Sequence, residues 1–344
     1  MEFFLIKLVL VLIVFLVSLG VAAYSTYAER KIAAFLQDRV GPDRAGPFGI
    51  LQPLADGLKM FMKEEIIPTH ADKFLFILGP CIMMMTASMT GVIIPWGHGL
   101  EINGTFYPVQ ITDINIGILY VFGVVSIGVY GIMIGGWASN NKYSLMGAIR
   151  ASSQMISYEL AMGMAIIALI MTTGTLSVRE IVEQQHGIHW NIFTQPLGVI
   201  IFIICAFAEC NRTPFDLPEC ETELVGGYHT EYSSMKLGFY LFAEYINMFI
   251  SSAIISSLYF GGYNFPFIDQ LGLSPNMLSM LGTLIFFGKI FFFIFFFMWV
   301  RWTIPRFRYD QLMHLGWRVM IPLAIVNILG TGLYVLFKNG QLHF

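Results

Sequence analysis

Charged side chains are scarce in this sequence. Asp, Glu, Lys and Arg make up 12% of its 344 residues, against about a quarter in an average soluble domain. Hydrophobic residues make up 56%, with 31 Phe and 20 Met among them. A soluble surface needs more charge, and a disordered chain contains far fewer apolar residues. The composition therefore excludes both classes and predicts several membrane spans.

Motifs for metals and bound redox cofactors are also missing. None of the four cysteines belongs to a Cys-x-x-Cys pair, which argues against a zinc ribbon, a disulfide framework and a cysteine-bound iron–sulfur cluster. The seven histidines are scattered, and the sequence has no phosphate-binding loop and no dinucleotide-binding glycine motif. We therefore expect no metal and no redox centre in this chain. Its net charge of −3 also predicts no nucleic-acid partner.

Eight apolar runs have the length, or nearly the length, of a membrane span, which takes about 20 residues. They lie near 3–23, 74–95, 115–137, 156–173, 193–208, 237–260, 279–300 and 317–338. The fifth run is the weakest, because it is short and ends at Glu209. The first is too long for the apolar part of a signal peptide, so we expect it to remain as a span. The pattern predicts one polytopic, all-α membrane domain of about eight transmembrane helices.

Basic residues are distributed unevenly among the loops. The segments that hold 15 of the 19 Lys and Arg residues are 29–73, 138–155, 209–236 and 301–318. Loops rich in Lys and Arg stay in the cytoplasm. We therefore expect these four loops to face the cytoplasm and both termini to lie outside it.

The first of these loops contains an amphipathic segment. Two Gly-Pro steps within 41–47 predict a rigid, turned backbone. From 50 to 63, apolar residues share one helical face, while Asp56, Lys59 and Lys63 share the other. Such a helix lies in the membrane interface. It serves either as a simple anchor or as the border of a lateral opening for a lipid-like substrate.

The third loop is acidic, and other acidic residues lie within the spans. A solvated acidic loop is one interpretation of 209–236, but the Pro, Phe, Leu and Val residues between its charges favour packing against a partner or lining a cavity. Charge at membrane depth is costly and usually faces a polar path. Glu159 and Glu244 are therefore candidates for a proton relay, with snorkelling to the interface as the alternative. Lys289 is either another relay member or the counter-ion of a glutamate.

Four blocks carry a family resemblance. They begin Glu29-Arg-Lys, Gly136-Trp-Ala-Ser-Asn-Asn, Ala208-Glu-Cys-Asn-Arg-Thr-Pro-Phe-Asp and Arg301-Trp-Thr-Ile-Pro-Arg. Together, and in this order, they resemble the quinone-proximal membrane subunit of respiratory complex I. That family comprises the H subunit of bacterial NADH:quinone oxidoreductase and its mitochondrial counterpart, NADH dehydrogenase subunit 1. Residues Glu65, Pro218 and Cys220 depart from its usual pattern and leave the local loop geometry open.

The resemblance implies a fold, a reaction and partners. The fold is a bundle of eight tilted membrane helices with one interfacial amphipathic helix, in the bacterial inner membrane. The subunit forms the quinone channel at the junction with the peripheral arm, and it couples quinone reduction to proton translocation. Its substrate is ubiquinone or menaquinone, and FMN and the iron–sulfur clusters belong only to partner subunits. Those partners are the peripheral-arm quinone-site and terminal-cluster subunits and the small membrane subunits of the pumping arm.

The resemblance also implies roles for particular residues. Those expected at the quinone chamber and its entrance are Arg30, Arg39, Asp56, Lys59, Arg212 and Phe215. Those expected to couple quinone reduction to proton movement are Glu159, Glu209, Asp216, Glu219, Glu221, Glu223 and Glu244.

Two other functions remain as alternatives. The first is the related membrane subunit of an energy-converting hydrogenase or formate hydrogenlyase, which uses no quinone. The complete first loop, with its paired Gly-Pro steps, favours the quinone-linked subunit over it. The second is a secondary transporter, but transporters often have inverted repeats and helices broken at matched positions, which we do not find in this sequence.

Overall fold

The computed structural model describes residues 2–102, 104–216, 225–266, 272 and 274–338, and this part of the chain is mainly helical. The first half contains α1 (Glu2–Leu36), α2 (Gln52–Met62), α3 (Lys73–Thr90), β1 (Leu100–Ile102), β2 (Thr105–Tyr107), α4 (Gly117–Ala138) and α5 (Lys142–Thr173). The second half contains α6 (Val178–Gln184), α7 (Asn191–Thr194), α8 (Pro196–Glu209), α9 (Ser234–Tyr259), α10 (Pro275–Thr303), α11 (Tyr309–His314) and α12 (Ile321–Lys338). A π-helical turn, Leu315–Met320, joins the last two. The two strands pair as an antiparallel hairpin.

Seven helical segments of the described chain are long and apolar enough to cross a membrane, which confirms the all-α membrane fold. Helix α8 is shorter than the others. Its 14 residues rise about 21 Å, less than the hydrocarbon core of a bilayer. It begins only at Pro196, because Gln195 has a non-helical backbone that separates it from α7. Proline at the first helical position fits this start, since it has no N–H to satisfy there.

Two helices extend beyond the apolar runs of the sequence. Helix α1 is 35 residues long and continues past the predicted end of its span into the first basic loop. Helix α5 begins at Lys142, where the Asn141 side chain accepts a hydrogen bond from the backbone N–H of Tyr143 at 2.9 Å. Hydropathy marks only the part of a helix with apolar side chains. Most of the predicted loop 138–155 is therefore helix.

Helices α5 and α9 organise the bundle. Helix α5 packs against α4, α8 and α12, and α9 packs against α1, α2, α3 and α10. Glycines allow α3, α4 and α9 to approach closely: a Cβ on Gly79 would lie 2.9 Å from the Cα of Gly135 and 2.6 Å from the Tyr240 hydroxyl. Small residues serve this purpose in membrane bundles. The packing brings the ends of α1, α8 and α10 together with the middle of α9 around a set of polar side chains.

Candidate functional site

A cavity of about 370 Å³ lies between α1, α2 and α9, and we call it the α1–α2–α9 cavity. Its wall includes charged and apolar residues, among them Glu29, Arg30, Asp56, Lys59, Met60, Gly238, Phe242, Tyr245 and Trp302. Helix α2 supplies part of this wall, while its residues Leu54, Leu58 and Phe61 remain exposed. The amphipathic helix therefore borders a cavity as well as presenting an apolar face outward.

Three residues predicted for the quinone chamber form a charged group in the cavity wall. Arg30 on α1 pairs with Asp56 on α2, with Nη1 and Oδ2 2.8 Å apart. Lys59 lies one turn further along α2, and its Nζ is 3.4 Å from the other oxygen of Asp56. The Gln52 amide also donates to Asp56, at 3.2 Å. Asp56 thus holds a cation from each of the two helices at the cavity.

Glu29, which begins the first resemblance block but was not among the predicted site residues, is the centre of a buried polar cluster. Only 6% of it is exposed. Its carboxylate lies 2.7 Å from Nη1 of Arg301 and 3.3 Å from Nη1 of Arg212, and it accepts a hydrogen bond from the Tyr245 hydroxyl at 2.9 Å. The Arg212 guanidinium also lies over the Tyr245 ring, 4.1 Å from its centroid. We call these four residues the Glu29 cluster.

The Glu29 cluster joins distant parts of the chain. Its members come from α1, from the segment after α8, from α9 and from the end of α10. A buried carboxylate is tolerated because two guanidinium groups and a hydroxyl compensate for its lost hydration. Glu29 and Tyr245 also line the α1–α2–α9 cavity. In the sequence, Glu29 looks like the polar end of a span, and nothing in its spacing indicates these partners.

The segment 210–216 is folded into the bundle. The buried Gln154 amide donates to the carbonyl oxygens of Ala208 at 2.9 Å and Phe215 at 2.7 Å. The Phe215 ring packs edge to face against Tyr158, with the centroids 5.3 Å apart. Asp216, whose side chain is 1% exposed, pairs with Arg306 at 3.1 Å. This part of the third loop is therefore packed rather than solvated.

Several predicted site residues lie away from the cavity or outside the described structure. Arg39 is exposed beyond the end of α1, and Phe215 contacts Tyr158 and Phe307 rather than the cavity wall. Glu219, Glu221 and Glu223 fall outside the described residues. The predicted roles of these five, like those of the other site residues, remain predictions.

Three of the seven acidic residues expected to couple quinone reduction to proton movement are buried or partly buried near the bundle interior. Glu159 on α5 is half-buried and accepts a hydrogen bond from Ser126 on α4. Glu209 ends α8 at a small, largely apolar cavity, and its Oε2 has no hydrogen-bond partner among the described residues. Glu244 on α9 is 3% exposed and accepts a hydrogen bond from the Tyr228 hydroxyl at 3.2 Å. Burial of Glu244 argues against snorkelling of that residue, whereas the half-buried Glu159 leaves the alternative open.

Cys210 lies between the acidic residues and the Glu29 cluster. It interacts electrostatically with Glu209, Glu244 and Arg212. Burial raises the pKa of its thiol to about 12, so the thiol stays protonated. The thiol contacts the Ser251 hydroxyl, with the sulfur and oxygen atoms 3.4 Å apart. Cys210 is therefore near both Arg212 of the Glu29 cluster and the carboxyl groups of Glu209 and Glu244.

Lys289 corrects one interpretation of the sequence. Its ammonium group donates to the backbone carbonyls of Phe260 and Gly262, both at 2.7 Å, and of Asn264 at 2.8 Å. It also lies 4.8 Å from the centroid of the Trp190 ring. Among the described residues, the Lys289 ammonium group therefore binds backbone carbonyls rather than serving as a counter-ion for Glu159 or Glu244. It is the shared hydrogen-bond donor for the carbonyl groups of the turn that follows α9.

Comparisons with known proteins identify the family. Residues 7–332 match the NADH dehydrogenase family. The chain is 71% identical to an H subunit of NADH-quinone oxidoreductase from Cytophaga hutchinsonii, over 97% of this chain and 98% of that protein. It is 64% identical to the corresponding protein of Flavobacterium johnsoniae, over 96% and 95% of the two chains. For an H subunit from Geobacter metallireducens the identity is 48%, over 97% of each chain. The chain therefore belongs to the NADH dehydrogenase family.

Proposed function

We propose that this chain is the membrane subunit of a proton-translocating NADH:quinone oxidoreductase, and that the α1–α2–α9 cavity receives the quinone. The observation that carries the proposal is the position of Glu29. It lines the cavity and at the same time pairs with Arg212, three residues after Glu209. One carboxylate thus connects the proposed substrate site with the proposed proton path.

The chemistry of the cavity suits a quinone. Its apolar wall from α2 and α9 matches an isoprenoid tail, and α2 presents its exposed apolar residues where an interfacial helix meets lipid. Quinone reduction adds negative charge to the headgroup until protons arrive. Cationic groups at fixed positions, as Arg30 and Lys59 are in this wall, stabilise such developing charge. The site therefore favours a substrate that is apolar over most of its length and becomes anionic at one end.

The polar contacts beside the cavity provide a way to couple quinone reduction to proton movement. A change of charge in the cavity alters the field at the Glu29 cluster. Arg212 of that cluster lies three residues after Glu209 in the chain, so we propose that the same change of field reaches the Glu209 carboxyl group. Glu159 interacts electrostatically with Glu209 and extends the path towards α4. Buried carboxyl groups that interact in this way exchange protons as a set rather than singly.

We also propose partners and a membrane location for this chain. The loops rich in Lys and Arg face the cytoplasm and contact the peripheral-arm subunits, which carry FMN and the iron–sulfur clusters. Small membrane subunits of the pumping arm lie beside the helices, and the membrane is the bacterial inner membrane. We expect the third cytoplasmic loop to lie on the chamber side of this contact, while Phe215 and Asp216 near its start are packed into the bundle.

Purification of the chain in mild detergent, with mass spectrometry of its companions, tests this assignment. We expect flavin and iron–sulfur subunits of an NADH-type dehydrogenase. Companions belonging to a nickel–iron hydrogenase would instead assign the same helices to an energy-converting hydrogenase. Recovery of the chain alone, stable and monodisperse, would contradict the proposal and favour a transporter.

A further inference from the structure

Three contacts join the end of α2 and the residues after it to the start of α9. Lys236 forms an ion pair with Glu65. The Ser234 hydroxyl donates to the carbonyl oxygen of Met60 at 2.9 Å, and the backbone N–H of Ile66 donates to the Ser233 hydroxyl at 3.0 Å. We call this group of contacts the α2–α9 latch.

The ion pair is the part of the latch that depends on side-chain charge. The Lys236 side chain is 10% exposed, and its Nζ lies 5.6 Å from the centroid of the Phe76 ring. Glu65 is exposed over about half of its side chain. A lysine held this deeply loses much of its hydration, and a carboxylate partner compensates for that loss. The pair therefore favours the arrangement in which the two segments stay together.

The latch lies where two walls of the α1–α2–α9 cavity meet. Met60, whose carbonyl accepts the Ser234 bond, lines the cavity from α2. Gly238, two residues after Lys236, lines it from α9. The other side of α2 carries the exposed residues Leu54, Leu58 and Phe61. The helix is therefore held against the bundle by its contacts at the cavity and by the latch. A change in the latch thus changes the position of a cavity wall.

We propose that Glu65 and Lys236 are positioning residues, which fix α2 against α9 and so set the width of the cavity for its quinone. This inference rests on the proposed function of the cavity. Without the pair, α2 spends part of its time in positions that leave the wall incomplete. Only the remaining fraction of molecules binds substrate well, so the apparent affinity falls in proportion. Reaction of the bound quinone is unchanged.

The test uses the assembled complex in membranes carrying Lys236→Met, Glu65→Gln or both. We expect each single variant to raise KM for quinone about threefold to tenfold, as for loss of a partly buried ion pair, and to leave kcat within about twofold. The double variant should match the single variants, because each change alone already breaks the pair. Lys63→Gln is the matched control, since Lys63 lies at the same end of α2 and is exposed. It should leave KM unchanged.

Three results would overturn the inference, and a fourth would overturn the proposed function on which it rests. A fall in kcat that follows the amount of assembled complex, with KM unchanged, would show a role in assembly alone. Additive increases in KM in the double variant would show that the two residues act separately. Unchanged KM in the latch variants, with a raised KM in Asp56→Asn, would refute the positioning role of the latch but not the proposed quinone cavity. Unchanged KM in all of them, Asp56→Asn included, would instead refute the proposed function of the cavity.

Discussion

Replacement of Glu29 by Gln should destabilise the complex strongly. The glutamine keeps the shape of the side chain but removes the charge that faces Arg212 and Arg301, which lie 3.3 Å and 2.7 Å away. Breaking a buried ion pair costs about 3–5 kcal/mol. Since Arg301 keeps some contact with solvent and the amide oxygen still accepts one hydrogen bond, we expect the lower end, about 3 kcal/mol.

Thermal inactivation of quinone reductase activity in membranes measures this effect. A loss of about 3 kcal/mol corresponds to about a hundredfold change in an equilibrium constant. We therefore expect inactivation of the Glu29→Gln complex to be tenfold to about a hundredfold faster at a fixed temperature. Glu29→Asp keeps the charge and should lie between the variant and the parent protein. Glu64→Gln removes an exposed carboxylate and serves as control.

Equal inactivation rates for Glu29→Gln, Glu64→Gln and the parent protein would refute the reasoning. Equal damage from Glu29→Asp and Glu29→Gln would also refute it in part, because side-chain length rather than charge would then hold the cluster together.

Other substitutions separate the cavity, the acidic path and the rest of the fold. Asp56→Asn should raise KM for quinone about tenfold and leave reduction of ferricyanide by NADH unchanged; a parallel loss of both activities would indicate misassembly. Glu209→Gln and Glu244→Gln should lower the number of protons translocated per NADH while the complex still assembles, and pumping at the parent level in both would remove them from the path. Lys289→Met leaves three carbonyls without their shared donor and should destabilise the complex by about 1–3 kcal/mol. The number of protons translocated per electron should stay the same, and a changed ratio would indicate that Lys289 belongs to the relay.

The fold and part of the site followed from local sequence patterns. Long apolar runs predict membrane helices, and the face that Asp56 and Lys59 share with Lys63 predicts an amphipathic α2. Both depend on residues close together in the chain. Helix ends were less predictable, because hydropathy does not register the polar turns at the start of α5. A run as short as α8 is also too short for its length to identify it as a membrane span.

The Glu29 cluster was not predictable in the same way. Arg212 and Arg301 lie far from Glu29 in sequence, and only the packing of α1, α9 and α10 brings them together. The same packing determines which candidates reach the cavity. Arg30 and Asp56 pair in its wall, whereas Phe215 is turned towards Tyr158 and Arg39 remains exposed. A single sequence contains no periodicity that encodes such contacts.

The proposal that the α1–α2–α9 cavity holds the quinone is tested most directly with a photoreactive quinone and the purified complex. After illumination, peptide mapping identifies the labelled residues. We predict labels on peptides of α1, α2 or α9 that line the cavity, and we predict that excess unlabelled quinone removes them. Labelling confined to other subunits, or to the lipid-facing surfaces of α10 and α12, would contradict the proposal.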